Sequence, residues 1–369
     1  MPSVFHAISD MGIGGGGIFL TQLLSQSQKN TGSLTLLPKG SLLCSRLREA
    51  GIPYAALSLS GERSFSTKDV FKYRSFLKEH TPALLVSHAS LSAKIAAKSL
   101  SIPTLSVRHC DTPPPAKLLW LYNAVTDATV ATSLPLAEHL RDAGVKNVFA
   151  IENGYTPMGV PSDRERLAAK RAFSIPADRI AIGLSGRLVP VKGHVTAIDA
   201  LSLLGEEKNH FLLCFLGDGC EKENLRERVR ALSLENEVRF LGFHADVRPF
   251  YYAMDAHISC SFDSETSSLA LAEGLSAGCA TFACDIPGNR ARVGEGGCFF
   301  PCGDAKALAS LFRLLSDNTV KESLRDRAAA RARALPTWER TRAAYGTLFD
   351  TFCREVAAKG CFFEKDMLQ

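Results

Sequence analysis

Short apolar runs alternate with segments of helical periodicity along most of the chain. Segments such as "SLLCSRLREAG" predict helices, and the apolar runs between such segments predict buried strands. Strands and helices that alternate in this way form parallel sheets covered by helices on both faces. The first half therefore predicts an α/β fold, with strands in "SVFHAIS", "SLTLL", "ALLVSHA", "TLSVRH" and "ATVATS".

The alternation stops once and then restarts. The segment "ENGYTPMGVPSD" (152–163) is rich in Gly and Pro and marks a domain boundary. Two domains also suit a chain of 369 residues, which exceeds the usual limit for one core. We therefore predict two Rossmann-like doubly wound domains, 1–157 and 158–337. Ligands of such sheets bind at the carboxyl ends of the strands, so the site is expected in a cleft between the domains.

The composition is that of a globular protein, with 46% hydrophobic and 22% charged residues. The N-terminal residues lack the basic and apolar regions of a secretory signal, and no apolar run is long enough to span a bilayer. The 11 cysteines form no C-x-x-C pair and lie mostly in apolar runs, which indicates reduced thiols. A cytoplasmic protein is expected.

The net charge of +5 is unevenly distributed. Residues 1–160 hold 15 Lys/Arg and 10 Asp/Glu, whereas residues 161–369 hold 28 of each. Much of the excess lies in 68–78 and 93–98. Two interpretations stay open: solvated helix faces, or a basic surface that contacts anionic lipid at the inner face of the membrane or an anionic acceptor. No nucleic-acid partner is expected.

A glycine-rich segment after the first strand satisfies G-x-G-x-x-G over 12–17, a weak signal of dinucleotide binding when it stands alone. Binding of NAD also needs an acidic residue at the end of the next strand, where this chain has Pro, Lys and Gly at 38–40. The sequence therefore disfavours a nicotinamide dehydrogenase. Glycines before a helix still allow backbone N–H groups to approach a phosphate. The residues expected to do so are Gly15, Gly16 and Gly17.

The second half carries a set of polar and glycine residues at strand ends. In "SGRLVPVKGH", Arg187 and Lys192 follow a strand, and two fixed cations there suit a diphosphate. Gly217 and Phe243 follow the strands in "FLGDG" and "FLGF", where the backbone could approach a flat base.

Two glutamates, Glu265 and Glu273, lie in the small-residue segment "DSETSSLALAEGLSAG" (263–278). Carboxylates are almost never buried without a partner, so they could be an acid/base pair, metal ligands or acceptors for a polyhydroxyl ligand. The Ser and Thr residues at 264–268 favour a helix start near 266–269, which places Glu265 before the helix and Glu273 on its second turn. The chain contains no D-x-D, and the nearest match is at 263–265, so no metal is expected.

Five features of the second half, in this order, resemble glycosyltransferase family 4. They are "GRLVPVKG", "FLGDG", "VRFLGF", the two glutamates with seven residues between them, and "PCGDAKALA". This resemblance covers nearly the whole chain. It implies a GT-B fold and transfer of a sugar from a nucleotide diphosphate with retention of configuration. It also implies a last helix, within 336–352, that crosses back to the first domain, so that helices in 338–369 complete domain 1–157. It implies no cofactor and favours a UDP-sugar over a GDP-sugar.

The resemblance also implies roles for individual residues. Glu265 would accept hydrogen bonds from the donor sugar, and Glu273 from the nucleotide ribose. His109, after the strand "TLSVRH", would lie near the bond being made, although a structural histidine is the alternative, and His88 matches the family only loosely. Catalytic roles are thus implied for His109, Glu265, Arg187 and Lys192, and backbone or side-chain contacts to the donor for Thr266, Ser267, Ser268 and Leu269.

Two departures leave the sugar and the acceptor open. Ile18 and Phe19 follow the first glycines where the family often has Glu or Arg, and Ala291 stands where it often has Glu. The acceptor is expected to be a glycan, a lipid-linked sugar or a small molecule, in synthesis of a cell-envelope polysaccharide. A nucleotide-sugar epimerase or hydrolase, and a non-catalytic sugar-nucleotide-binding subunit, are the alternatives.

Overall fold

The computed structural model of the protein describes residues 3–25, 32–61, 64–262 and 265–359, with side chains to 354. It divides into two compact units, one of Met1–Gly154 with Trp338–Gln369 and one of Tyr155–Thr337. The boundary falls within the segment rich in Gly and Pro that the sequence singles out.

The first unit is built on a parallel sheet of seven strands in the order β3-β2-β1-β4-β5-β6-β7. Its strands are β1 (Val4–Ile8), β2 (Leu34–Pro38), β3 (Tyr54–Leu57), β4 (Leu84–His88), β5 (Thr104–Arg108), β6 (Ala128–Ala131) and β7 (Val148–Ala150). Its helices are α1 (Gly15–Leu24), α2 (Leu43–Glu49), α3 (Thr67–His80), α4 (Leu91–Lys98), α5 (Leu119–Ala124) and α6 (Leu134–Asp142).

Helices cover both faces of this sheet because β1 is apolar on both sides. Phe5 and Ala7 belong to the core under α3 and α4, whereas Ile8 belongs to the core under α1 and α2. Such strands read as continuous apolar runs, which is why the sequence pattern revealed them.

The second unit contains a parallel sheet of six strands in the order β10-β9-β8-β11-β12-β13. Its strands are β8 (Ile180–Ser185), β9 (Phe211–Leu216), β10 (Val238–Gly242), β11 (Ala256–Ser259), β12 (Ala280–Cys284) and β13 (Gly297–Phe300). Its helices are α7 (Asp163–Ala172), α8 (His194–Ser202), α9 (Lys222–Ala231), α10 (Arg248–Ala253), α11 (Leu269–Ser276), α12 (Pro287–Val293), α13 (Ala305–Leu314) and α14 (Asn318–Ala334).

The last helix, α15 (Trp338–Lys359), belongs to the first unit. The ring of Trp338 lies 5.8 Å from that of Phe19 on α1, and the Arg342 guanidinium donates to the Gln22 carbonyl at 2.9 Å. The chain therefore returns to complete the first unit, as the sequence predicts. Residues 360–369 of the predicted C-terminal segment lie outside the described residues.

The predicted fold class is confirmed, and three elements differ from the prediction: β3, β7 and the start of α1. The strands β3 and β7 were not predicted; both are short and lie at the edges of the sheet. The helix α1 begins at Gly15, so the three glycines form its first turn and are not part of a loop before it.

No described helix is long and apolar enough to cross a membrane.

A buried ion pair ties α7 to the sheet of the second unit. The Lys170 ammonium lies 2.9 Å from an Asp255 carboxylate oxygen, and the two side chains are 8% and 9% exposed. The same oxygen of Asp255 accepts a hydrogen bond from the Ala181 N–H, and Lys170 also donates to the Arg179 carbonyl. Both charges are therefore fully engaged, and loss of either leaves the other uncompensated.

Replacing Lys170 by methionine should lower the free energy of unfolding of the second unit by about 3–5 kcal/mol, because Asp255 is left charged and buried. Urea unfolding of the whole chain measures this loss. Glu223→Gln is the matched control, since it removes an exposed ion pair with Arg226 and should cost less than about 0.5 kcal/mol. Equal losses in the two variants would contradict a stabilising role for the buried pair.

Candidate functional site

The helix α11 begins where the sequence predicts it. The Ser268 hydroxyl caps it by accepting a hydrogen bond from the Leu271 N–H at 3.3 Å, and Leu269 is its first residue. Thr266 and Ser268 are buried, whereas Ser267 is partly exposed. Glu265 lies before the helix and Glu273 on its second turn, so the two glutamates occupy different environments.

Glu265 forms an ion pair with Lys192, which lies in the loop after β8. Lys192 is followed by Gly193, whose φ of +64° is unfavourable for other residues and whose Cα approaches the Cys260 carbonyl so closely that a Cβ would lie 2.3 Å from that oxygen. The Phe262 N–H also donates to the Val191 carbonyl at 3.3 Å. These contacts hold the loop after β8 against the loop after β11.

The loop after β9 packs on the loop after β8. Gly217 has φ of +138°, and a Cβ there would lie 2.0 Å from the Gly186 carbonyl oxygen. The Leu188 N–H donates to the Asp218 carbonyl at 3.0 Å. Gly217, which the sequence predicts beside a nucleotide base, thus also packs against the neighbouring loop.

Glu273 is held by a network of partly buried hydrogen bonds. One of its oxygens accepts from the Tyr251 hydroxyl at 2.9 Å; that hydroxyl lies 2.6 Å from the Ser185 hydroxyl, which in turn lies 3.3 Å from the His257 ring. Burial raises the pKa of Glu273 to about 7, while the hydrogen bond from Tyr251 opposes the rise. Glu273 is thus a carboxyl group whose charge changes near neutral pH.

The first turn of α12, which follows β12, lies against the backbone of Glu265. A Cβ at Gly288 would lie 1.9 Å from the Glu265 carbonyl oxygen, so only glycine fits there without a shift. Arg292 on α12 is buried, and its guanidinium donates to the Ser267 hydroxyl. A fixed cation therefore lies at the N-terminal end of α11, where the helix dipole also favours a negative ligand.

Arg187 and Phe243 differ from the other candidates because their side chains are exposed. Arg187 follows β8 by two residues, and Phe243, which follows β10 directly, is 77% exposed. Since all strands of this sheet are parallel, both residues lie at the same edge as Lys192 and Glu265.

The remaining candidates lie in the first unit. Gly15, Gly16 and Gly17 form the first turn of α1, where N–H groups lack partners within the helix. The His109 ring follows β5 and lies close to Gly16, since a Cβ on that glycine would be 3.4 Å from it. Its pKa is lowered to about 4, chiefly by burial and then by the Arg108 guanidinium, so it is neutral near pH 7.

Several contacts escaped the sequence analysis. Tyr251 lies in an apolar segment that predicts only a helix, and Ser185 and His257 lie in strands, so nothing in the pattern marked them. The sequence analysis assigned no role to Arg292, which directly follows Ala291 in the segment after β12. Among residues 3–25, 32–61, 64–262 and 265–359, no group of three His, Cys, Asp or Glu side chains could hold a metal ion.

Comparison with known proteins gives matches in sequence and in structure. Residues 165–335 match the family model described as glycosyl transferases group 1. The lipopolysaccharide core biosynthesis glycosyltransferase LpsE of Rhizobium meliloti is 30% identical over 58% of this chain and 60% of its own length. LpsD of the same organism is 30% identical over 64% of this chain and 67% of its own length. The chain thus spans somewhat less than two thirds of LpsE.

The fold as a whole matches that of solved structures. A crystal structure of Anabaena Alr3699/HepE in complex with UDP and glucose superposes with a TM-score of 0.83, covering 95% of this chain and 100% of that chain at 19% identity. Sucrose-phosphate synthase of Thermosynechococcus elongatus gives a TM-score of 0.77 at 17% identity. These structures share the two parallel sheets with interleaved helices. The chain has the GT-B fold and belongs to the group 1 glycosyltransferases.

Proposed function

We propose that the protein is a retaining glycosyltransferase of family 4 that transfers a sugar from a UDP-sugar to a hydroxyl group of a glycan on a lipid-linked acceptor. The observation that carries this proposal is the pairing of Lys192 with Glu265 at the carboxyl edge of the second sheet, with Glu273 on the helix that follows. A cation for a diphosphate and acceptors for hydroxyl groups are thereby present on one surface.

The donor contacts follow from the chemistry of a sugar nucleotide. Glu273 would accept from the ribose hydroxyls through the carboxylate oxygen that Tyr251 does not use, and Glu265 from hydroxyls of the sugar. Phe243, exposed beside the strand end, offers an aromatic face to the base. The complex of Anabaena HepE with UDP and glucose supports a UDP-sugar as the donor.

Breaking the bond between the sugar and the diphosphate places negative charge on the leaving oxygen. Lys192, Arg187 and the N-terminal end of α11 with Arg292 would stabilise that charge, and no metal is required. No carboxylate is placed as an obvious covalent nucleophile. We infer that the acceptor oxygen attacks from the face that the diphosphate leaves, and that its proton passes to a phosphate oxygen, which retains the configuration.

The acceptor is inferred from the relatives and from α3. LpsE and LpsD act in synthesis of the lipopolysaccharide core, which supports a saccharide acceptor on a lipid. The exposed face of α3 carries Lys68, Lys72 and Lys78 around Phe71, which is 72% exposed. Basic residues with an aromatic side chain suit a surface of anionic lipid, so we include peripheral membrane contact in the proposal.

The proposed reaction predicts transfer from a UDP-hexose to deacylated lipopolysaccharide core in the presence of EDTA, because side chains stabilise the leaving group. Nuclear magnetic resonance of the product should show the donor's anomeric configuration. Lys192→Ala should reduce kcat/KM by about 10²–10³, whereas Lys208→Ala, at the amino end of β9, should not. Sugar release without acceptor, inverted product, or activity that only a divalent cation restores would each contradict the corresponding part of the proposal.

The two glutamates should affect ligands in different ways. Glu273→Gln should weaken both UDP and the UDP-sugar, since both contain ribose, whereas Glu265→Gln should weaken only the UDP-sugar. A hydrogen bond to a charged group contributes about 1.5–3 kcal/mol, so each effect should be roughly 10- to 150-fold in Kd. Calorimetric titration measures both ligands, with the exposed Glu322→Gln as a control. Equal losses of UDP and UDP-sugar in Glu265→Gln would contradict its contact with the sugar.

The affinity for UDP should also depend on pH through Glu273. A carboxyl group with a pKa near 7 is mostly protonated at pH 6 and mostly ionised at pH 8, and only the ionised form accepts two hydroxyl hydrogen bonds. Its ionised fraction changes about tenfold over this range, so Kd for UDP should rise about tenfold as the pH falls from 8 to 6.

Titration of the UDP phosphate is common to the wild-type protein and Glu273→Gln, so the ratio of their Kd values isolates Glu273. That ratio should change with pH in calorimetric titrations at pH 6, 7 and 8. A ratio independent of pH would show that the charge on Glu273 does not contribute to ribose binding.

A further inference from the structure

Three histidines of the first unit form a continuous hydrogen-bonded chain. His6 lies within β1, His88 ends β4 and His109 follows β5, and these strands are neighbours in the sheet. The His6 Nδ1 lies 3.2 Å from the His88 Nε2, and the His88 Nδ1 lies 3.0 Å from the His109 Nε2. The chain thus runs from the interior of the sheet to the residue that family resemblance assigns to the reacting bond.

The geometry of the rings is that of directed hydrogen bonds. Neighbouring centroids are 5.5 and 5.3 Å apart with interplanar angles of 27° and 12°. Because the nitrogens are much closer together than the centroids, the rings meet at their edges and lie nearly in one plane. Each N–H therefore points along the lone pair of the accepting nitrogen, the favourable direction for such a bond.

All three imidazoles are neutral near pH 7. Burial lowers the pKa of His6 to about 3 and that of His109 to about 4, and it lowers the pKa of His88 well below its usual value. Aromatic rings enclose the chain: Phe19 lies 4.8 Å from His109 and Phe349 lies 5.9 Å from His6, measured between centroids. A neutral imidazole donates from one nitrogen and accepts at the other, so each ring has two tautomers.

The connectivity couples these tautomers. Both bonds join the Nδ1 of one ring to the Nε2 of the next, so a proton on Nδ1 of His6 requires a proton on Nδ1 of His88 and then of His109. A proton on Nε2 of any ring would likewise require Nε2–H in all three. The chain therefore has two states, and every ring has the same tautomer in each.

The inner end of the chain selects between the two states. The Nε2 of His6 is buried and has no hydrogen-bond partner among the described residues. In the Nε2–H state this nitrogen would be an orphaned donor, whereas in the Nδ1–H state it carries only a lone pair. A buried N–H group without a partner is rarer in folded proteins than a buried acceptor without one, which favours the Nδ1–H state.

We propose that His6 and His88 are positioning residues that hold His109 in its Nδ1–H tautomer, so that His109 acts as a hydrogen-bond donor and not as a general base. The role of His109 toward substrate rests on the proposed sugar transfer. The lone pair of His109 at Nε2 accepts from His88, so the proton of this ring lies on Nδ1, the nitrogen from which it can donate. This role agrees with the proposed reaction, in which the acceptor proton passes to a phosphate oxygen and not to a histidine.

The tautomer can be measured without any activity. Two-bond ¹⁵N–¹H correlation spectra of the ¹⁵N-histidine-labelled full chain distinguish protonated from unprotonated ring nitrogens, and His109→Gln assigns the signals of His109. We expect a protonated Nδ1 and an unprotonated Nε2, unchanged between pH 6 and pH 8. A protonated Nε2, or a charged ring in this range, would overturn the proposal.

Variants at His88 test whether the chain is the cause. His88→Phe fills the same space without a hydrogen bond, so His109 should lose its single tautomer and kcat should fall about tenfold with little change in KM. His88→Asn can present its amide N–H₂ near the position of Nδ1, so it should restore both the Nδ1–H signal and most of kcat. The exposed His80→Asn is the control for loss of a histidine elsewhere.

The positioning of His109 by the other two histidines and the proposed sugar transfer would be contradicted by different results. If His88→Asn and His88→Phe both leave the His109 signals unchanged, positioning by the chain is wrong, whatever their activity. If the wild-type protein transfers no sugar, the proposed function is wrong, while the spectrum still decides the tautomer. Should His88→Phe not fold, His6→Phe provides the same test from the inner end of the chain.

Discussion

The parallel direction of all strands within each sheet is the constraint on which the candidate site depends. In the second unit it brings the loops after β8, β9 and β11 to one edge, where backbone hydrogen bonds and close glycine contacts join them. Lys192 and Glu265 are 73 residues apart in sequence, and they form an ion pair only because their strands end at this edge. The chemistry of the site is thus a consequence of topology more than of any local motif.

The same edge places two glutamates of identical chemistry in different environments. Glu265 is paired with a lysine and partly open to solvent, so its charge is compensated before any ligand arrives. Glu273 has no cation beside it in the contacts described above, so burial raises its pKa to about 7, and the hydrogen bond from the Tyr251 hydroxyl only partly opposes that rise. A ligand rich in hydroxyl donors can satisfy both, but only Glu273 must lose a proton to accept fully.

The sequence predicted what depends on periodicity and on strand ends. The buried strands and the start of α11 could be inferred because each has a local pattern, and the return of the last helix to the first unit could be inferred from the family resemblance. Edge strands β3 and β7 are only four and three residues long, so their patterns were too short to mark them. The partners of Glu273 and the bond from His88 to His109 join residues distant in sequence, and no local pattern specifies them.

The family resemblance supplied individual roles, and the contacts within each unit refine them. A reaction that expels a diphosphate needs cations and N–H donors around the phosphate and acceptors around the hydroxyl groups. Lys192, Arg187 and Arg292 belong to the first class, and the two glutamates belong to the second.

A neutral histidine can belong to either class, so its tautomer decides its function. The chain from His6 places His109 among the donors through bonds within one sheet, without any change of charge. If His109 were the base, its Nδ1 would have to carry a lone pair and its Nε2 the proton. All three rings would then be in the Nε2–H state, and His6 would carry a buried N–H group without a partner among the described residues. The hydrogen-bonded interior of the first sheet therefore determines what its carboxyl edge can do chemically.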